Sequence, residues 1–469
     1  MATGIKFGTS GWRALIADEF TFANVRLVTE AIARYIKRDT SFPALLVGYD
    51  TRFASENFAG QVARVLSSSG IGVQLSTGPV PTPALSFSTR HRKLDGAINI
   101  TASHNPGEYN GIKFSDAEGA PVLPEVTGEI EDEIERLQSD RWDFSASPDD
   151  TLIEPADIRD EYLDELRGKV DLDQIKKSGI RIGYDPLHGS GAGYLDHLLE
   201  TEGLDPFVLH AERDVYFGGD HPEPDESNLA ALRQAMLDQD LMLGLGTDGD
   251  AERFGMLDDN GDFFYPNEIL ALLLDYLIET RGWSGAVART VATTHLIDRV
   301  ADLNNLEVLE TPVGFKFIGE YIKQDRIILG GEESAGLAVK HHIPEKDGIL
   351  ACLLVAEMVA RRGKSLKEQL KTLFSRTGEV YNRRLNVRLD PCDREAVRAK
   401  IASDVHEYHG RPVEKQDRTD GLKLIFGDGS WVLMRQSGTE PVVRYYAESS
   451  SREDLEQLLE CGREWITGA

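Results

Sequence analysis

Cysteine is scarce in this chain: three residues in 469, at positions 352, 392 and 461. An odd number without metal-type spacing excludes a disulfide framework and a cysteine zinc site. It fits free thiols in a reducing compartment, and the expected location is the cytoplasm. Long hydrophobic runs are also missing. The most apolar stretch, GILACLLVAEMVA, is too short to span a bilayer and contains Glu357. The opening MATGIKFGTSGW lacks the charged-then-apolar pattern of a secretory signal. Basic residues are the third deficit, with 51 Lys and Arg against 79 Asp and Glu and a formal charge of −28. That balance argues against nucleic acid as a partner, because phosphate backbones need basic faces, and no membrane partner is expected. A small anionic substrate stays open, since charges beyond about 8 Å are screened at physiological salt. It would need local arginine and lysine clusters.

The length suggests three or four domains, and a hydrophobic content of 41% is enough for several cores. Three segments read as one repeated unit. Each opens on an apolar strand running into a loop: ALLVGYDTR, IRIGYDPLHGSG and ARTVATTHL. Helical stretches then alternate with a second strand (GVQLSTGPVPTP, DPFVLHAERDVYFGG, LEVLETPVGFKF) and a third (DGAINITASHNPG, DLMLGLGTDGDAER, DRIILGGEESAG). This order implies βαβ units with mainly parallel sheets. The expected architecture is three similar mixed α/β domains in tandem, at 1–150, 151–258 and 259–374. A smaller α+β domain at 375–469 follows, read from strands joined at Gly-Asp-Gly and an amphipathic C-terminal helix. Ligands gather at the carboxyl ends of parallel strands, so the three third-strand loops are the candidate site loops.

Read chemically, NITASHNPG ends a buried strand on Ser103 and His104, with Lys113 close behind. Asn-Pro-Gly is ordinary turn punctuation, and the alternative is a serine presented as nucleophile or phosphate carrier. Extended backbone would send His104 away from Ser103. In TDGDAERFG, Asp248, Asp250 and Glu252 fall at alternate positions, so an extended chain places all three carboxylates on one face. They then suit Mg²⁺, or else form a solvated acidic turn. An EF-hand is disfavoured because Arg253 stands where that loop needs glycine. In GGEESAG, Glu332 and Ser334 point one way and Glu333 the other if the chain is extended, which suits two neighbouring sugar hydroxyls. RQSGTEPVVR offers Ser437, Gly438 and Thr439 between Arg435 and Arg444: an anion nest with charged clamps, or a polar hairpin. A Ser-His-Asp hydrolase fits less well, because no G-x-S-x-G elbow surrounds Ser103.

These four loops in this order, with FGTSGWR at the N-terminus, resemble the α-D-phosphohexomutases along essentially the whole chain. The resemblance implies four domains around a central cleft and a phosphoserine at Ser103. That group would convert a hexose monophosphate into a hexose 1,6-bisphosphate, which turns over in the site and returns its other phosphate. The same bisphosphate serves as primer. Resemblance assigns Mg²⁺ to Ser103, Asp248, Asp250 and Glu252, sugar hydroxyls to Glu332 and Ser334, and the distal phosphate to Arg435, Ser437, Gly438 and Thr439, with Arg444 beside them. Three carboxylates and a phosphoserine total roughly −5, so one Mg²⁺ leaves a deficit that Arg13, Lys113 and Arg253 are placed to fill. Lys113 is the first candidate for acid–base work and His104 the second.

Two departures bear on this assignment. The family's usual third metal ligand is Asp, and Glu252 adds a methylene. GGEESAG also lacks the histidine that often ends the loop in phosphomannomutases and phosphoglucosamine mutases. With HHIPEKDG behind it, the loop looks closer to phosphoglucomutases, which adds Lys346 and, from TPVGFKF, Lys316 to the substrate set. Glucose phosphate is therefore the expected substrate, with mannose or glucosamine phosphate as the alternatives. A Mg²⁺-dependent phosphatase or a non-catalytic sugar-phosphate sensor is the reading outside the mutases. A monomer or homodimer is expected.

Overall fold

The computed structural model describes residues 4–8, 10–144, 147–389, 394–436 and 442–467. The first sheet contains β1 (Trp12–Leu15), β2 (Ala44–Tyr49), β3 (Gly72–Ser76), β4 (Gly96–Ile100), β5 (Tyr109–Ser115) and β6 (Ile153–Ala156). The second holds β7 (Ile182–Asp185), β8 (Phe207–Val208), β9 (Leu243–Thr247), β10 (Phe254–Leu257) and β11 (Phe263–Phe264). The third holds β12 (Ala286–Thr290), β13 (Val308–Thr311), β14 (Ile327–Glu332) and β15 (Gly336–Val339). A fourth is built from β16 (Tyr381–Arg388), β17 (Glu407–Tyr408), β18 (Arg411–Asp417), β19 (Leu422–Phe426), β20 (Trp431–Gln436) and β21 (Val442–Ser449).

The threefold repeat is visible in the strand order. The third strand of each unit pairs parallel with the first, and the first with the second: β4-β2-β3, β9-β7-β8 and β14-β12-β13. An antiparallel strand follows each third strand: β5, β10 and β15. Each third strand therefore turns back through a short loop, and these three loops carry Ser103, Asp248 and Glu332. The Gly-Tyr-Asp shared by the first two units also has a structural meaning. Asp50 and Asp185 are fully buried and each caps the following turn, accepting from Arg52 N at 3.1 Å and Leu187 N at 2.9 Å. Side-chain oxygens that bond two residues ahead are the standard way for Asp to close such a turn.

One continuous apolar core runs from Leu46 and Ala84 of the first unit, through Tyr162 and Leu195, to Leu270 and Leu350 of the third. Its centre is the helix Gly348–Arg362, the apolar stretch noted in the sequence, buried from Gly348 through Ala360. No helix among the described residues is long and apolar enough to cross a membrane. Asp347 caps this helix by accepting from Leu350 N at 2.8 Å, and Tyr162 and His342 bond the same carboxylate. The fourth unit is an antiparallel sheet, β16-β21-β20-β19-β18-β17, with its own core under the helix Arg452–Thr467. It meets the third unit through a small apolar cluster containing Val291, Ala292, Trp431, Leu433 and Tyr446.

Glu357 lies fully buried in the central helix, held by Arg281 Nη2 at 2.6 Å and Tyr276 Oη at 2.7 Å. Removing one partner of a buried pair leaves a charge without compensation. Arg281→Met is expected to cost about 3 kcal/mol in urea-induced unfolding; a loss below about 1 kcal/mol would show that Tyr276 alone suffices.

Candidate active site

The serine loop is held from below by one buried cation. Arg52 is fully buried and pairs with Asp50 Oδ2 at 2.9 Å. Its remaining donors reach four carbonyls of the loop: Ser103 at 2.6 Å, Asn105 at 2.7 Å, Pro106 at 2.7 Å and Tyr109 at 3.0 Å. Ser103 itself has φ +54°, a left-handed conformation that costs a non-glycine residue about 1 kcal/mol or more. The backbone there is not extended, and this corrects the expectation that His104 projects away. His104 Nδ1 lies 3.3 Å from Ser103 Oγ. Ser103 Oγ donates to Asp248 Oδ2 at 2.8 Å across the boundary between the first two units.

The acidic loop is a turn, with Ala251 at φ +55°, so the extended-chain argument for one shared face does not hold. The ligand oxygens of Asp248, Asp250 and Glu252 do not all fall within 4.8 Å of one another. Lys113 on β5 instead bridges Asp250 Oδ2 and Glu252 Oε1, at 2.6 Å each. Glu252 turns its other oxygen to Lys346, 3.1 Å away, and Lys346 also bonds Glu345 at 2.8 Å. Asp250 accepts from Thr82 Oγ1 at 2.7 Å, but its Oδ1 is sealed from solvent without a partner. Asp248 Oδ1 accepts from Arg253 N at 2.9 Å.

Burial sets the electrostatics. It pushes the Asp248 carboxyl up to about 8, with Asp250 adding to the effect and Arg253 opposing it. Burial acts the same way on Asp250, but Lys113, Thr82 and Arg13 outweigh it and hold Asp250 well below the usual carboxylate range. His104 is driven far below its ordinary value by burial and by four nearby cations, Arg253, Arg13, Lys113 and Arg52, and so stays neutral. Arg13, on β1, donates to Asn105 Oδ1 at 2.8 Å, and Arg253 to Glu223 Oε1 at 2.7 Å. Lys346 resists its own burial because Glu252, Glu345 and Glu332 hold it protonated.

The other two loops flank this centre. Glu332 ends β14 and accepts from Gly314 N at 2.9 Å; burial and Glu333 push its carboxyl up to about 7. Residues 333–335 turn, with Ala335 at φ +68°. In consequence Glu333 and Ser334, rather than Glu332 and Ser334, line a cavity of about 510 Å³ that also reaches Arg253. This replaces the extended-strand expectation for the loop. Arg435 is paired with Asp420 at 2.7 Å and faces Arg444 across β20 and β21. Ser437, Gly438 and Thr439 lie outside the described residues. Lys316, at the start of the helix Phe315–Lys323, sits 5.8 Å over the Phe317 ring and has Glu125 of the first unit as its charged neighbour. It makes no bond to the serine centre.

Comparison with known proteins gives one answer for the whole chain. Phosphoglucomutase/phosphomannomutase alpha/beta/alpha domains I, II and III match residues 4–141, 160–261 and 265–377, and the family's C-terminal domain matches residues 385–461. The chain belongs to the phosphoglucomutase/phosphomannomutase family. A Thermococcus kodakarensis relative named phosphoglucomutase/phosphomannomutase is 32% identical over 98% of each chain. One from Methanosphaera stadtmanae, named "probable phosphoglucosamine mutase", is 30% identical over 98% of each. A crystal structure of a candidate phosphomannomutase from Thermus thermophilus superposes with a TM-score of 0.88 at 34% identity over both full chains. Phosphohexomutases are enzymes of phosphoryl transfer within a sugar.

Arg52 and Asp50 are the functional residues that sequence reasoning missed, although both stand in the quoted GYDTR. Their signal was the Asp-x-Arg immediately after β2 in the serine-bearing unit. In this phosphohexomutase, Arg52→Lys keeps the charge but loses the planar fork that spans several carbonyls. Its kcat/KM for phosphoryl transfer is expected to fall about 10²-fold, the scale of a misplacement of about 1 Å. An unchanged rate in a coupled assay would show that the loop holds itself.

Proposed function

We propose that the protein interconverts hexose 1-phosphate and hexose 6-phosphate, with glucose preferred, through phospho-Ser103 and a hexose 1,6-bisphosphate that reorients in the site. The observation that carries this reading is the position of Ser103 Oγ: 2.8 Å from Asp248 and 3.3 Å from neutral His104, with four cations around the loop. A phosphoserine dianion fits such surroundings, and phosphoryl transfer depends on positioning and charge stabilisation more than on covalent chemistry.

In this reading the phosphoryl group leaves Ser103 for the free hydroxyl of a bound hexose monophosphate. The hydroxyl's proton passes to neutral His104 as its oxygen bonds phosphorus, and the Ser103 oxygen released when its bond to phosphorus breaks takes a proton from His104 or from the Lys113 ammonium. Re-entry of the bisphosphate by its other end reverses both transfers. His104 is already neutral, the state a base requires. Arg13 and Arg253 offset the phosphate charge. Glu332, Ser334, Lys346 and Lys316 serve the sugar. Arg435, Ser437, Gly438, Thr439 and Arg444 hold the distal phosphate, over which the fourth unit closes.

Mg²⁺ fits the residues beside Ser103. Asp248 and Asp250 give an all-oxygen donor set, and the sealed, unpartnered Asp250 Oδ1 is an acceptor that a cation would satisfy. Glu252 would join after exchanging Lys113. When bound, the ion supplies charge neutralisation at the transferring phosphoryl group. The relatives' names span glucose, mannose and glucosamine sugars, and the glucose preference draws on the GGEESAG loop.

Ser103→Ala is expected to lower turnover of glucose 1-phosphate, primed with glucose 1,6-bisphosphate, about 10³-fold or more, and to abolish the phosphoserine adduct in the intact mass. Full turnover by that variant would defeat the mechanism. Glucose, mannose and glucosamine 1-phosphates assayed in parallel identify the sugar.

A further inference from the structure

Asp250 is anchored from the first unit by a hydrogen-bonded chain that lies outside the acidic loop. Thr82 opens the helix Thr82–His91 and is buried. Its backbone N donates to Asp250 O at 2.9 Å, and its hydroxyl donates to Asp250 Oδ2 at 2.7 Å. Behind it Asn99, buried on β4, donates from Nδ2 to Thr82 Oγ1 at 2.8 Å. A helix start, the strand that leads to Ser103 and the acidic loop of the second unit thus meet at one hydroxyl.

The direction of this chain is fixed by its donors. A threonine hydroxyl has one proton and two lone pairs. With Asn99 Nδ2 on a lone pair, the proton is left for Asp250. Holding the amide this way round leaves Asn99 Oδ1 buried without a partner, a state that costs free energy and that buried acceptors ordinarily avoid. The opposite orientation would claim the Thr82 proton for Asn99 and take it from Asp250. The result at the far end is an asymmetric carboxylate. Asp250 Oδ2 accepts from Thr82 and from Lys113 Nζ at 2.6 Å, whereas Oδ1 has no partner. An arriving cation acts differently on the two donors. It repels the Lys113 ammonium and leaves the uncharged Thr82 hydroxyl in place. Thr82 is then the group that keeps Oδ2 occupied and Oδ1 free.

We propose that Thr82, oriented by Asn99, is the positioning residue of the Mg²⁺ site: by holding Asp250 Oδ2 it makes Oδ1 the metal-binding oxygen. The proposal rests on the Mg²⁺ reading of the site and adds to it a residue contributed by a different unit from the carboxylates. Groups that orient a metal ligand are typically worth about 10- to 100-fold in metal affinity.

Calorimetric titration of Mg²⁺ into the chelator-stripped full-length enzyme tests this without reference to turnover. Thr82→Val keeps the branched shape and the backbone bond to Asp250 but has no hydroxyl, and Thr82→Ser restores the hydroxyl. Thr82→Val is expected to raise the Kd for Mg²⁺ about 10- to 100-fold, with Thr82→Ser binding as the wild type does. Asn99→Ala, which frees the hydroxyl to rotate, is expected to shift the Kd in the same direction by a smaller factor. Thr82→Ala is titrated alongside, so that a folded variant without the hydroxyl is measured even if valine is not accommodated. An unchanged Kd in the variants without the hydroxyl overturns the proposal. So does an equal weakening in Thr82→Ser and Thr82→Val, which marks a packing role. An unchanged Kd in Asn99→Ala overturns the part assigned to Asn99. A wild type that takes up no Mg²⁺ overturns the metal reading and the proposal with it, and this result is distinct from a wild type that binds the ion no better than Thr82→Val.

Discussion

The buried Arg52 guanidinium is the constraint on which the site depends. A non-glycine residue at positive φ needs something to hold it there, and the Ser103 loop has no regular secondary structure of its own to do so. Arg52 ties four of its carbonyls to one planar group, whose charge is balanced by Asp50. Fixing the loop fixes Ser103 Oγ against Asp248, and through Asp248 it registers the first unit on the second. A buried cation with this many carbonyl acceptors behaves as a structural peg, because displacing it would leave the carbonyls and Asp50 unpaired together.

From that peg outward, charge is distributed by alternation. Lys113 lies between Asp250 and Glu252, and Lys346 between Glu252 and Glu345. The extra methylene of Glu252 gives it the reach to serve two lysines at once, one from the first unit and one from the third. A chain with net charge −28 thus sets cations between the buried carboxylates beside the serine loop. Screening over about 8 Å keeps the net charge from dominating the cleft.

Much of this was legible in the sequence, and the reasons differ by element. The parallel strands were readable as short apolar runs, β2 and β7 closing on Asp50 and Asp185 and β12 running into the polar loop TTHL, and all three fall where those runs do. The positions of Ser103, Asp248 and Glu332 followed from strand ends. Side-chain direction in the loops was not readable. Period-two alternation holds only while the backbone is extended, and Ser103, Ala251 and Ala335 all adopt positive φ. One such residue per loop reverses the pattern, so His104 turns toward the serine and Glu333 replaces Glu332 in the cavity. Arg52 was hidden for another reason. Its role is to bond backbone atoms, and backbone acceptors leave no trace in residue identity.

The separate core of the fourth unit has a consequence for how this protein comes apart. One apolar core runs through parts of the first three units, although much of the first unit's interior forms a cluster of its own. The last unit is joined to the third by a thin seam of five buried side chains around Trp431. Two regions with so little shared interior need not lose structure together. Heating should therefore release them in separate stages, with a calorimetric enthalpy larger than the van 't Hoff value, and no single melting temperature describes the whole molecule.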